Sequence, residues 1–377
     1  MAPARAGEIR VAVVGYGLAG SVFHAPLIAA TPGMRVATVV TANPERHARA
    51  RHEHPQARVV TSVADLWEAA GEHDLVVVAT PNRAHVPVAL AALEAGLAVV
   101  VDKPVAPTSG QARQLVRTAA ERGALLTVFH NRRWDGDMLT VQRLLAEEAL
   151  GQVTRLESRF ERWQPHPAPG AWRLRGDPAE AGGLLFDLGS HLVDQACVLF
   201  GRPVRVYAEV QRRRAGVEAD DDVFIALEHD GGVRVHLWAS AVAAEPGARF
   251  RVLGTRGSYM KEGLDGQEDA LRAGVRPGAP GWGREAPDRW GRLVVYGVER
   301  RVETATGAYP HFYAAVAEAL LTGSPPPVDP DDAVAVIEVL EAARESAHTV
   351  SVVDLAWAAQ PANPQAAPAP FSPQASS

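Results

Sequence analysis

An apolar run that ends in three spaced glycines constrains this chain more than any other feature. Near the start of its 377 residues stands Arg10-Val11-Ala12-Val13-Val14-Gly15-Tyr16-Gly17-Leu18-Ala19-Gly20. The β-branched run predicts a strand, and the residues after Gly20 can form a helix. At this spacing Gly15 permits a tight turn and Gly17 lets the backbone approach a pyrophosphate. Gly20 lets the helix pack closely on the strand. The helix N-terminus then presents free N–H groups to the phosphates. A glycine turn with only a structural role is the alternative. The strand before it and the strand–helix alternation after it favour a dinucleotide loop made of Gly15, Tyr16, Gly17, Leu18, Ala19 and Gly20.

That alternation runs through the first third of the chain. Strands are expected at Val11–Val14, Met34–Thr41, Val59–Val60, Leu75–Ala79, Leu97–Val101 and Leu125–Phe129. Helices are expected at Ala19–Ala30 (kinked at Pro26), Asn43–Glu53, Val63–Ala70, Val86–Ala95 and Ser109–Arg122. Gly96 and Gly123 end the last two. Fully apolar strands such as Leu75–Ala79 suit a parallel sheet covered on both faces. The reading is an α/β fold whose residues 1–130 form a doubly wound Rossmann domain. Residues 131–358 form a second, α+β domain. Its strands alternate with a period of two at Gly151–Arg162, Val204–Arg212, Asp222–Glu228, Val233–Ala241 and Arg249–Leu253, as in a mostly antiparallel open sheet. Helices are expected at Asp137–Ala149, Leu192–Phe200, Phe312–Leu321 and Asp331–His348. Gly263–Trp290 reads as irregular, and the Pro-, Ala-, Gln- and Ser-rich residues 359–377 as a disordered tail.

Composition narrows the partners. A net charge of −6 argues against a nucleic-acid ligand. The single cysteine, Cys197, excludes an intrachain disulfide and a cysteine metal site, which fits a reducing compartment. The polar start, Met1 to Glu8, has no apolar signal core, and no apolar run reaches membrane-spanning length. A cytoplasmic enzyme without a metal is expected.

Two further motifs carry chemistry. Val100-Val101-Asp102-Lys103-Pro104 ends an apolar strand, where open α/β sheets place their ligand crevice. A lysine held there can donate to a substrate hydroxyl or carbonyl oxygen; otherwise it frays into solvent. Farther on comes Gly182-Gly183-Leu184-Leu185-Phe186-Asp187-Leu188-Gly189-Ser190-His191. On one helix, Asp187 and His191 would stand at i and i+4. The carboxylate would orient the imidazole, which takes a proton from a carbinol while hydride leaves the carbon. The same residues taken alone suit a helix cap and an ordinary buried histidine.

Together these pieces resemble the Gfo/Idh/MocA family of nicotinamide-dependent sugar and cyclitol oxidoreductases. The resemblance also rests on Phe23-His24-Ala25-Pro26-Leu27-Ile28, Ala79-Thr80-Pro81-Asn82-Arg83-Ala84-His85 and His130-Asn131-Arg132-Arg133-Trp134-Asp135. Asp102-Lys103-Pro104 replaces the family's usual Glu-Lys-Pro. Gly263-Leu264-Asp265-Gly266-Gln267-Glu268-Asp269-Ala270-Leu271 is similar to a stretch in a subgroup that includes NADP-dependent scyllo-inositol dehydrogenases. The resemblance implies Lys103, Asp187 and His191 around the substrate, with Thr80, Pro81, Asn82, His85 and Asp102 beside the cofactor. It also implies dimers or tetramers formed through the second sheet, whose alternating residues include Val233, Val235 and Leu237 against Arg234 and His236. Other sugar dehydrogenases, imine or enone reductases, and a non-catalytic nucleotide sensor are rival readings of the fold.

Cofactor choice is argued from the end of strand two. NAD enzymes usually place a carboxylate there for the ribose 2′-hydroxyl. Here the sequence is Val40-Thr41-Ala42-Asn43-Pro44-Glu45-Arg46-His47, with no acid at the strand end. Thr41, Asn43 and Arg46 could face a 2′-phosphate, which favours NADP over NAD; Glu45 is the counterweight. Asn131 and Arg132 either reach the substrate cleft or make core ion pairs. Trp163 and Trp172 either stack on sugar C–H surfaces or pack under a long loop.

Overall fold

In the computed structural model, residues 8–167 and 174–357 are described. Six strands form the first sheet: β1 (Ile9–Val14), β2 (Met34–Val40), β3 (Arg58–Val60), β4 (Leu75–Val78), β5 (Ala98–Val101) and β6 (Leu126–Val128). Their order is β3-β2-β1-β4-β5-β6 and every pairing is parallel. The order in which strands are added reverses between β1 and β4, so a crevice opens beyond their carboxyl ends. Val76, Val77, Val99 and Val100 are wholly buried, because helices cover both faces. The expected helix after the glycine loop is a π turn, Ala19–His24, running into an α-helix, Ala25–Ala30, with Pro26 in its first turn.

The second sheet has nine strands: β7 (Val153–Glu161), β8 (Pro203–Gln211), β9 (Asp222–His229), β10 (Arg234–Ser240), β11 (Phe250–Gly254), β12 (Gly257–Lys261), β13 (Gly291–Val295), β14 (Val298–Val302) and β15 (Val353–Asp354). Their order is β14-β13-β12-β11-β7-β10-β9-β8-β15. Among the described residues β7 and β10 pair in parallel and the other pairs are antiparallel. Helices Gly189–Phe200 and Pro330–Thr349 pack on one face. Val235 and Leu237 lie buried beneath them. The open face therefore belongs to the other half of each alternation: Arg234, His236 and Trp238 on β10, with Phe224 on β9. There Arg159 lies 3.9 Å over the Trp238 ring, and Glu157 takes hydrogen bonds from Arg159 and Arg251 at 3.0 and 2.9 Å.

Several segments differ from expectation. β12, β13, β14 and β15 lie where no strand is expected, and a six-residue helix, Gln267–Arg272, lies inside the stretch read as irregular. The helix expected to begin at Leu192 begins at Gly189. The 359–377 tail and Trp172 lie outside the described residues. No single helix among the described residues is long and apolar enough to cross a membrane.

Candidate active site

The glycine loop is shaped by backbone contact. Gly15 has φ +99°, and a Cβ there would meet the Ala79 carbonyl at the end of β4. A Cβ on Gly20 would run into the Gly15 carbonyl. At Gly17 the nearest neighbour of an added Cβ is Arg46 Nη1, at 3.6 Å in ordinary contact. Asn43 fixes that arginine's backbone: it caps helix Pro44–Glu53 by accepting from Arg46 N at 3.0 Å. Tyr16 ties the loop to the same helix by donating to Glu53 Oε2 at 2.6 Å, and Thr41 is buried at the end of β2. A backbone without a side chain at Gly17 beside the exposed Arg46 guanidinium fits a dinucleotide phosphate. The Thr80 hydroxyl, buried beside the loop and without a partner among the described residues, is a group such a ligand would satisfy.

Two expected cofactor residues are otherwise engaged. Asn82 spends its amide N–H groups on the carbonyls of Glu180 and Ala181, at 2.9 and 3.3 Å, so it fastens the first domain to the second. Arg83 pairs with the buried Glu180 beside it. His85 faces the carbonyls of Thr80 and Pro104 with its two ring nitrogens, at 3.0 and 2.9 Å. It holds together the loops after β4 and β5, and Pro81 is exposed between them. Their sequence neighbourhood foretold their place, while their side-chain partners come from segments distant in the chain.

Beyond the glycine loop lies a cavity of about 390 Å³. Leu18 and Ala19 of the loop line it, as do Asp102, Lys103, Asn131, Arg132, Asp187 and His191. Lys103 follows β5 through a cis peptide to Pro104, and its backbone N–H donates to Asp102 at 2.9 Å. Lys103 Nζ donates to Asp187 twice, at 2.7 Å to the carboxylate and 2.7 Å to the carbonyl. An ammonium has three N–H donors, so one remains for a substrate oxygen.

The expected pairing of Asp187 with His191 is replaced. Asp187 ends a four-residue helix, Leu184–Asp187; the next helix starts at Gly189, and the chain bends by 60° between them. The i, i+4 rule holds only along one helix axis. Asp187 turns to Lys103, and His191 Nδ1 has no hydrogen-bond partner among the described residues. His191 is 5% exposed. Burial first, then the positive charges of Lys103 and Arg132, hold its imidazole well below the usual histidine range.

Part of the lining was missed as a site. Phe23, Phe129 and Phe160 supply aromatic surface. Helix Gln267–Arg272 brings Glu268, Asp269 and Arg272 to the cavity, with Asp265 just before it. Arg132 lines the cavity and is also ion-paired, which unites its two readings. It donates to Glu268 at 2.6 Å and to Asp135 and Tyr309 at 3.3 Å each. Trp163 departs from expectation: it sits 56% exposed and outside the cavity, because it follows β7 in a bridge with Val242. Among the described residues no group of His, Cys, Asp and Glu could hold a metal ion.

Both parts of the chain match known families. Residues 9–130 match a model described as an oxidoreductase family, NAD-binding Rossmann fold, and residues 142–355 match its C-terminal alpha/beta domain. The uncharacterized oxidoreductase YdgJ of Escherichia coli is 43% identical over 90% of this chain and 96% of its own. The scyllo-inositol 2-dehydrogenase (NADP(+)) IolW of Bacillus subtilis is 35% identical over 90% of this chain and 93% of its own. The solved structure of the oxidoreductase yvaA from Bacillus subtilis is 33% identical and superposes with a TM-score of 0.88. It covers 94% of this chain and 100% of its own.

Proposed function

The chain belongs to the Gfo/Idh/MocA family of oxidoreductases, and from that premise we propose that it interconverts a carbinol and a carbonyl carbon on a cyclitol, polyol or sugar with NADP. The observation that carries this reading is the placing of Lys103, Asp187 and His191 in one cavity with Leu18 and Ala19 of the glycine loop. A bound nicotinamide supplies the hydride acceptor or donor. The chain's own residues do the rest. Gly15 and Gly20 shape the phosphate cradle, and Thr80 offers a hydroxyl beside it. Lys103, held by Asp187, donates a hydrogen bond to the reacting oxygen. His191, neutral in its buried place, accepts the carbinol proton in the oxidative direction. The aromatic wall covers the C–H face of the ring and keeps water from it.

A panel of inositols and aldoses, followed by nicotinamide absorbance with both cofactors, tests the reading. Turnover of at least one polyol is expected, and silence across the panel would count for a nucleotide sensor. The same panel tests cofactor choice. With Arg46 over Gly17 and no acid at the end of β2, NADP is expected to bind more tightly than NAD. Arg46→Ala should weaken NADP by about tenfold, the scale of one charge-assisted contact, and barely change NAD. Calorimetry that finds NAD the tighter ligand of the unaltered protein removes the argument.

The open face of the second sheet, with Trp238, Phe224 and the Arg159–Glu157–Arg251 ladder, is the surface we propose for self-association. Its aromatic centre and paired charges suit an isologous contact. Sedimentation should give a dimer or tetramer at micromolar concentration, and Trp238→Arg should shift it toward monomer. A native protein that sediments as a monomer ends this proposal.

A further inference from the structure

The charged lining around helix Gln267–Arg272 bears on which ligands can enter the cavity. Glu268 stands between two guanidinium groups. Its Oε2 accepts from Arg132 Nη2 at 2.6 Å, and its Oε1 accepts from Arg272 Nε and Nη2 at 3.0 and 2.7 Å. Arg132 is further held by Asp135 at 3.3 Å. Lys103, also in the lining, is paired with Asp187 at 2.7 Å. Each of these three cavity cations thus already has a carboxylate within hydrogen-bond distance. Among the described residues the remaining lining cation is Arg162, which is exposed, as are Asp269 and Arg272.

We propose that Glu268 is a specificity-determining residue that restricts this cavity to uncharged polyhydroxylated substrates by occupying the two arginines that would otherwise clamp a phosphate or carboxylate. The proposal rests on the polyol reading above. An anionic ligand gains little from a guanidinium already bridged to a carboxylate, and it meets the Glu268 charge at close range. A hydroxyl has no such conflict. It can donate to a free lone pair of Glu268 and accept from an unused N–H of either arginine. The discrimination is a repulsive element placed against the wrong ligand.

The test uses the full chain with its nucleotide site saturated by NADP, so that anions do not report the phosphate loop. Calorimetry compares scyllo-inositol and glucose with gluconate and glucose 6-phosphate. On the native protein the anionic probes should bind at least about tenfold more weakly than the neutral ones. In Glu268→Gln the ratio of anionic to neutral affinity should rise by about tenfold or more. In Glu268→Gln/Arg272→Gln that gain should shrink. Native protein that binds an anionic probe as tightly as its neutral counterpart overturns the inference. So does a Glu268→Gln protein that melts cooperatively and leaves the ratio unchanged. If Glu268→Gln does not fold, the native panel decides alone. If no polyol is turned over, yet anions are refused by the native protein and admitted by the variant, the polyol reading fails and the charge inference stands.

Discussion

Replacing Lys103 by Met is expected to lower turnover by about a hundredfold or more, with little change in cofactor affinity. Met keeps the side chain as far as Cε and removes the ammonium with all its donors. The ammonium makes two 2.7 Å hydrogen bonds to Asp187 and has one N–H left to polarise the reacting oxygen. A donor aimed at charge that develops on that oxygen acts mainly in the transition state, so its loss appears in kcat more than in KM. Factors of one hundred to ten thousand are usual for such groups. Asp187→Asn keeps an acceptor for Lys103 and removes the charge, so it should fall between the native enzyme and Lys103→Met. Steady-state kinetics on the best substrate of the panel, with NADP affinity measured separately, checks both. Near-native turnover in Lys103→Met would take the lysine out of the mechanism.

Much of this architecture was legible because local signals and tertiary demands coincide. The strand Val11–Val14 ends in glycines whose spacing is explained by backbone crowding at Gly15 and Gly20. The helix Ser109–Arg122 runs between a threonine cap, Thr108, and Gly123 at φ +58°, and its bounds are those expected. The strands that escaped notice lack such agreement. In β14 the residues Val298 to Arg301 are all exposed, so no period of two survives. Its pairing with β13 is fixed by a turn with positive φ at both Tyr296 and Gly297, and a tyrosine is a poor advertisement for that conformation. The site divides in the same way. Lys103 and the glycine loop sit at strand ends, where topology alone predicts a crevice. The partnership of Asp187 with Lys103 spans 84 residues and depends on the bend at Leu188. No spacing rule reports that bend, because Leu188 is an ordinary helix former. Glu268 lay in a segment marked only by resemblance, and its meaning comes from Arg132, which is 136 residues away.

The bend also changes what is expected of His191. A carboxylate on its Nδ1 would raise the imidazole pKa. The described residues place no such partner there, and burial with Lys103 and Arg132 nearby lowers it well below the usual value. The sign follows directly. A base with a depressed pKa is already deprotonated at neutral pH and becomes protonated only in acid. Oxidation of the alcohol should therefore be flat in pH around neutrality and fall only on the acid side of the ordinary histidine value of about 6.5. Reduction needs the imidazolium as proton donor, so its rate should rise as pH drops toward that same ionisation. His191→Asn is expected to lower oxidation by about a hundredfold and to erase the acid limb, since amide nitrogen does not titrate there. Lys103→Met removes one of the nearby positive charges and should move the limb toward neutral pH. Profiles of kcat/KM for both directions, in the native enzyme and the two variants, measure all of this. An oxidation limb that lies above neutral pH, or that survives unchanged in His191→Asn, would mean that the carbinol proton leaves by another group.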